Sequence, residues 1–260
     1  MRYPIIDSHV HSSYSEDCKC DVKDICNTAI QNEIKVLTLT DHVDFNPIDP
    51  GFRYFKLEKY LNEVAKLKKK HKDKIKLLTG VEFSEPHQYQ DKLKEYNDND
   101  LDLIIGAIHW IGDYFVGDEK LLDKYSKDEI FLRYYNLVYE TVKNGQIDVL
   151  AHLDFPKRYL NYDYKNFHLI PQILRMMIDR NIVLEINTST LRKGFDEPMP
   201  SKWILSKYKK MGGKKVTVGS DAHRLNELNT NFNKAYSLIE EFNFTLGYFE
   251  NRNFIKVDKI

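Results

Sequence analysis

Cysteine is scarce in this 260-residue chain: there are three, Cys18, Cys20 and Cys26, all near one end. An odd, clustered set does not make a disulfide framework, so ordinary free thiols in a reducing compartment are expected. An excess of one charge is also lacking. Lysine plus arginine and aspartate plus glutamate each number 39, and the formal net charge is zero. Dedicated nucleic-acid binders usually show a basic excess, so no nucleic-acid partner is expected. The local run Lys68–Lys69–Lys70 with Lys72 reads as a solvated helix face. Long apolar stretches are missing too. None approaches the ~20 residues that span a bilayer, which argues against a membrane partner. The opening Met-Arg-Tyr-Pro runs straight into an apolar segment without a signal-peptide pattern, so a cytoplasmic location is expected. Linkers rich in glycine, serine or proline, internal repeats and low-complexity tracts are absent, and residues 1–260 are expected to form a single domain.

What the chain has instead is a series of short apolar runs that end in metal-seeking side chains. They are Ile5–His11, Val36–His42, Leu77–Glu82, Leu103–His109, Val149–His152 and Val216–His223. These runs do not alternate cleanly with polar residues, which suits strands covered on both faces of a parallel α/β sheet. A seventh run, Asn181–Asn187, falls between His152 and Asp221. Helical patterns lie between the runs: Lys56–Lys72, a stretch opened by the capping-box pair Ser126 and Glu129 and ended by Gly145, Pro171–Arg180, and Ser201–Met211. Strand ends thus recur roughly every 30–40 residues, the size of one strand-plus-helix unit. Seven β/α units follow, and only a barrel-like parallel sheet brings so many strand ends to one point. The tail segment Phe254–Val257 reads as a terminal strand or a closing segment.

The side chains at those ends suit metal ions. His9 and His11 are two apart on a strand, so both imidazoles point the same way. Asp221 and His223 repeat that spacing. Glu82 ends a buried strand, where a carboxylate needs a metal or an arginine beside it. With His42, His109 and His152 the set offers five or more imidazoles and two or three carboxylates, suited to zinc, manganese or iron. That is too many ligands for one tetrahedral ion, so two or three divalent ions are implied. Asp17 lies in the loop after the first run, where barrel loops line the active face, with Glu16 as its neighbour and competitor.

Taken in order, Asp7–Ser12, Thr40–Asp41–His42, Gly80–Val81–Glu82, Ala107–Ile108–His109, Ala151–His152 and Ser220–Asp221–Ala222–His223 resemble the motifs of the PHP family, the polymerase and histidinol phosphatase superfamily of metal phosphoesterases. The likeness covers residues 1 to about 225. The segments 151–159 and 185–194 resemble the histidinol-phosphatase branch. The resemblance implies a distorted seven-stranded (β/α)7 TIM-like barrel with a trinuclear site. In the family pattern His9, His11, Glu82 and Asp221 would hold one ion. Glu82 would bridge to a second ion held by His109 and His152, and Asp17, His42 and His223 would hold the third. Some relatives have histidine where this chain has Asp17, which leaves the third site's metal preference open.

Such a site suits displacement at phosphorus, because divalent ions make water nucleophilic near neutral pH and offset charge on phosphoryl oxygens. The proton for the leaving group is expected from Asp221, His223 or Asp17, or from a water on the third ion. A doubly charged phosphate monoester needs a cationic clamp. Arg158 and Arg192 are the candidates, with Lys157 and Lys193 as weaker alternatives. Trp110, Asp113, Tyr114, Phe115, Asp118, Glu119 and Glu85 are candidates for meeting the rest of a small-molecule substrate. The implied activity is metal-dependent hydrolysis of L-histidinol phosphate in histidine biosynthesis. The alternative is a related phosphatase acting on phosphotyrosine, a nucleotide or a sugar phosphate. A metal-stabilised, non-catalytic module is disfavoured because all nine ligand positions carry coordinating groups.

Overall fold

In the computed structural model, residues 3–160, 162, 164 and 168–260 are described. The seven apolar runs all become strands: β1 (Ile6–Val10), β2 (Val36–Val43), β3 (Lys76–Ser84), β4 (Leu103–Ala107), β7 (Val149–Leu150), β8 (Val183–Asn187) and β9 (Lys215–Gly219). Between β4 and β7 a small separate ribbon forms from β5 (Trp110–Ile111) and β6 (Tyr114–Phe115). The chain ends in β10 (Thr245–Glu250) and β11 (Asn253–Lys256). The main sheet has nine strands, not seven, in the order β1-β2-β3-β4-β7-β8-β9-β10-β11. All neighbours are parallel except the last pair, which is antiparallel. The sequence count missed β10 because Thr245–Glu250 is interrupted by Gly247, and the glutamate at its end pairs with Lys76 at the start of β3 and not with the metal-seeking set.

The first and last elements of the sheet do not pair along a continuous ladder. Even so, the carboxyl ends of β1 and β9 meet. Val10 bridges Ala222 in parallel, the Asp221 N–H donates to His9 O at 2.8 Å, and the His11 N–H donates to Ala222 O at 3.0 Å. Asp7 strengthens the contact: its carboxylate accepts from the backbone N–H groups of Ser220 (2.9 Å) and Asn229 (3.1 Å).

Helices cover the sheet as their periodicity requires. Leu57–His71 buries Tyr60, Val64 and Leu67. Lys127–Asn144 begins with the reciprocal Ser126–Glu129 capping box and stops at Gly145, whose φ of 70° suits glycine. Tyr60 joins helix to sheet at the place that matters. Its hydroxyl approaches Leu39 O at 2.9 Å and Gly80 O at 3.0 Å and accepts from the Gly80 N–H at 3.1 Å. It therefore pins β2 to β3, three residues before His42 and two before Glu82. Tyr60→Phe strands buried backbone groups and is expected to cost about 1–3 kcal/mol. Urea unfolding measures it, and an unchanged midpoint would show that β2 and β3 need no such pin.

Candidate metal centre

Parallel register sets the core of the site. His42 on β2 is the direct partner of Glu82 on β3. Glu82 is 1% exposed and lies among five imidazoles. Its Oε2 is 3.0 Å from His42 Nδ1, 3.4 Å from His9 Nε2 and 3.5 Å from His11 Nε2. Its Oε1 is 3.0 Å from His152 Nε2 and 3.6 Å from His109 Nε2. Burial alone would raise this carboxyl's pKa. The facing His9, His42 and His109 outweigh burial and hold it well below the usual range.

Asp221 and Asp17 complete the set. Asp221 Oδ1 is 3.5 Å from His11 Nε2 and 3.6 Å from His223 Nδ1, while Oδ2 accepts from Arg158 Nη1 at 3.1 Å. Asp17 Oδ2 lies 3.2 Å from His223 Nε2 and 3.7 Å from His42 Nε2, on a side chain 53% exposed. Glu16 lines the cavity mouth but makes no such approach. Three groups have ligand atoms within 4.8 Å of one another: His9, His11 and Asp221; His42, Glu82 and His109; and His11, His42 and His223. All nine residues singled out from the sequence therefore gather at one place. His152 and Asp221 reach it with left-handed backbone, φ 23° and 54°. Such conformations cost about 1–3 kcal/mol each and persist only where neighbours impose them.

Behind the rings lies a set of tethers that sequence reasoning missed. The His9 Nδ1–H donates to Glu185 Oε1 at 2.6 Å. The His11 Nδ1–H donates to Ser15 Oγ at 3.1 Å, and that hydroxyl donates to Asp41 Oδ1 at 2.9 Å. The His109 Nδ1–H donates to Ser84 Oγ at 3.1 Å, and that hydroxyl donates to Asp44 Oδ1 at 2.5 Å. The His223 Nδ1–H donates to Asp221 O at 3.2 Å. Each tether fixes the tautomer and turns the Nε2 lone pair into the site. The available signal was an acid inside an apolar run, as in Leu184–Glu185–Ile186 and Thr40–Asp41–His42. Glu185 also accepts from the His152 N–H at 2.9 Å. Gly219 makes room for it: a Cβ there would lie 2.4 Å from both Glu185 Oε1 and His9 Cβ.

The residues fit metal ions on their own geometry. His9 Nε2 and His11 Nε2 face each other at 3.1 Å, and with both Nδ1 atoms donating backwards, two lone pairs meet. A cation or a proton must sit between them. Burial opposes a proton on His9, but Glu185 and Glu82 hold its pKa well above the ordinary value. Burial and the nearby His223 and His42 hold that of His11 well below. Cys18 and Cys20 stand behind this cluster, their thiols donating to His223 O at 3.2 and 3.7 Å, and all three cysteines are free.

Above the cluster opens a cavity of about 660 Å³. Arg158, Arg192 and Lys193 line it; Lys157 does not, and bonds to Pro198 O instead. Arg192 is less free than expected, since its Nη1 and Nη2 donate to Ser220 O (2.5 Å) and Asp221 O (3.0 Å). Of the loop after β4, Trp110 and Phe115 line the cavity, but Asp113, Tyr114, Asp118 and Glu119 do not. Glu85 lies beneath it, buried, accepting from the N–H groups of His109 (2.7 Å) and Trp110 (3.1 Å).

The PHP domain family model matches residues 7–189. The chain belongs to this family. Within it, the relatives point to the histidinol-phosphatase branch. The histidinol-phosphatase of Lactococcus lactis is 30% identical over 270 residues, covering 98% of this chain and 96% of that protein. A probable histidinol-phosphatase of Clostridium acetobutylicum is 28% identical over 260 residues, covering 95% and 98%. The crystal structure of a histidinol phosphate phosphatase from Lactococcus lactis, complexed with zinc, L-histidinol and phosphate, is similar with a TM-score of 0.84 at 26% identity. It covers 98% of this chain and 99% of that one. In this PHP protein Glu185→Gln should weaken zinc or manganese affinity roughly 10- to 100-fold, the usual effect of loosening a ligand's outer partner. Competition against a chelating dye reads this directly, and wild-type affinity would remove Glu185 from the metal centre.

Proposed function

We propose that this protein hydrolyses L-histidinol phosphate to L-histidinol and phosphate in histidine biosynthesis. One observation carries the reading: nine imidazole and carboxylate side chains converge, and seven of them, all but the deeper His9 and His11, line a cavity whose wall bears Arg158, Arg192 and Lys193. His9, His11, Glu82 and Asp221 would hold one ion, Glu82 with His109 and His152 a second, and Asp17, His42 and His223 a third. Zinc, manganese or iron bound there supplies a water nucleophilic near neutral pH and offsets phosphoryl charge.

The chain's own residues do the rest. Arg158 is anchored by Asp221 at 3.1 Å through Nη1 and lines the cavity, so its guanidinium is placed to meet a phosphoryl oxygen. Arg192 holds the Ser220–Asp221 backbone in place from the same wall. Phe115, Phe155 and Tyr159 pack edge to face beside the cluster, with centroids 5.4 to 6.2 Å apart, and shield one side from water. Asp17, Asp221 and His223 meet at one edge of the cluster. Burial opposes it, but neighbouring cationic groups hold both carboxyls below their ordinary range, so the imidazole of His223 is the group suited to give the leaving alkoxide its proton.

We take residues 1–260 as one catalytic unit. The meeting of β1 and β9 supports a distorted barrel, closed by those strand ends and not by a full ladder. No helix among the described residues is long and apolar enough to cross a membrane, and with three free cysteines this fits a cytoplasmic enzyme. A zero net charge fits a small-molecule substrate better than a nucleic acid.

Metal-loaded protein should release phosphate from L-histidinol phosphate much faster than from phosphotyrosine, nucleotides or sugar phosphates, and a chelator should abolish turnover. Similar rates on all these esters would end the assignment. Arg158→Ala should lower kcat/KM roughly 10- to 100-fold, as expected for a lost charge-assisted contact.

A further inference from the structure

Among the imidazoles of the centre, one is held differently from the rest. His9, His11, His109 and His223 each turn Nδ1 to an acceptor behind the site: Glu185, Ser15, Ser84 and the carbonyl oxygen of Asp221. His42 turns both nitrogens inward, Nδ1 3.0 Å from Glu82 Oε2 and Nε2 3.7 Å from Asp17 Oδ2. His152 follows neither pattern. Its Nε2 lies 3.0 Å from Glu82 Oε1, while its Nδ1 is buried and has no hydrogen-bond partner among the described residues. With the Nε2 lone pair given to an ion, the proton must sit on Nδ1, where no acceptor meets it. No hydrogen bond from behind then sets the rotation of this ring.

The backbone of His152 is fixed more firmly than its ring. Its N–H donates to Glu185 Oε2 at 2.9 Å, and the Tyr134 hydroxyl donates to its carbonyl oxygen at 3.4 Å. These contacts hold the left-handed φ of 23° but do not reach the side-chain torsions. What closes on the ring is Phe155, three residues further on. Its ring centroid is 4.4 Å from that of His152, with the planes 30° apart, and 5.4 Å from that of His109, with the planes at 59°. Phe155 is 3% exposed and is backed edge to face by Phe115 at 6.2 Å and Tyr159 at 5.4 Å. Gly117 makes room for this backing: a Cβ there would lie 2.6 Å from the Tyr159 ring and 2.8 Å from the Phe115 ring.

We propose that Phe155 is the positioning residue of His152: its face replaces the hydrogen-bond tether that holds the rings of His9, His11, His109 and His223, and so orients a ligand of the ion shared by His109 and His152. An imidazole bound to a divalent cation is electron-poor, and the negative face of a phenyl ring attracts it. The proposal rests on the metal centre of the reading above and not on its substrate.

The test loads the full chain with cadmium-113 and follows each bound ion by its own NMR signal. Nitrogen-15 in the histidines assigns each signal through its coupling to the ligand rings. Phe155→Leu stays apolar but loses the flat face; Phe155→Tyr keeps it. In Phe155→Leu the affinity for the ion coupled to His152, read by competition against a chelating dye, should fall roughly 3- to 10-fold, the scale of one aromatic pair. The signal of that ion should shift or broaden while the others stay in place, and Phe155→Tyr should restore both affinity and signal. In wild-type protein loaded with zinc or cadmium, the Nδ1–H proton of His152 should resonate upfield of those of His9, His11, His109 and His223, because it has no acceptor. Equal weakening at every ion, an unchanged Phe155→Leu, or a folded Phe155→Tyr that behaves like Phe155→Leu overturns the proposal. A downfield His152 Nδ1–H proton overturns it even where neither variant folds. Wild-type protein that takes up neither cadmium nor zinc would remove the metal centre itself, and the proposal with it.

Discussion

The Glu82 carboxylate is the charge around which the site is assembled. Taking a carboxylate out of water costs several kcal/mol unless partners replace the solvent. Here the partners are imidazoles from β1, β2 and the segments after β4 and β7. The dependence runs both ways. Without Glu82 the rings of His11, His42 and His223, whose centroids lie 4.0 to 5.8 Å apart, would share a pocket with less negative charge to justify their closeness. Strand order, register and the left-handed residues His152 and Asp221 all serve to bring these groups around one buried oxygen pair. β8 contributes no ring. It sends in Glu185, which holds His9 from behind and the His152 backbone from the side.

The sequence displayed this centre well because metal ligation demands particular side chains at particular places. Two-residue spacing in His9–His11 and Asp221–His223, and acids or histidines closing apolar runs, are local patterns, so they survive in one dimension. The seven ligand-bearing or apolar strands were legible for the same reason. The cavity wall formed by the loop after β2 was not. Asp44, Asp49 and Gly51 line it from a loop whose fold depends on backbone hydrogen bonds, and a glycine that only makes space looks like any turn glycine. Arg192 lines the cavity and also has a use the sequence did not display. Its type and position suited a phosphate ligand, yet two of its nitrogens hold carbonyl oxygens, a use that no sequence pattern records. The last two strands, β10 and β11, were harder to place because Gly247 interrupts the first and no histidine closes either.

Those last strands show how the two ends of the sheet divide the work. At the amino end of the parallel strands, the β10–β11 turn places Asn251 and Arg252 in left-handed conformations, φ 48° and 62°, as a tight hairpin requires. Asn251 N–H donates to Asp102 Oδ1 at 3.0 Å, and Arg252 binds Asp148, whose carboxylate also accepts from the Ile104 N–H at 2.8 Å. Phe249 enters a cluster with Leu103, Ile105, Val149 and Val183, and Phe254 packs on it. This end is sealed by apolar contacts and satisfied acids. The other end carries strained backbone, crowded rings and an open cavity, features that each cost stability. In parallel α/β folds chemistry gathers at the carboxyl ends of strands, and a well-packed opposite end is what allows an expensive site to persist within a single cooperative structure. The hairpin at residues 245–256 thus belongs to the same design as Glu82, although it touches none of the nine ligand candidates.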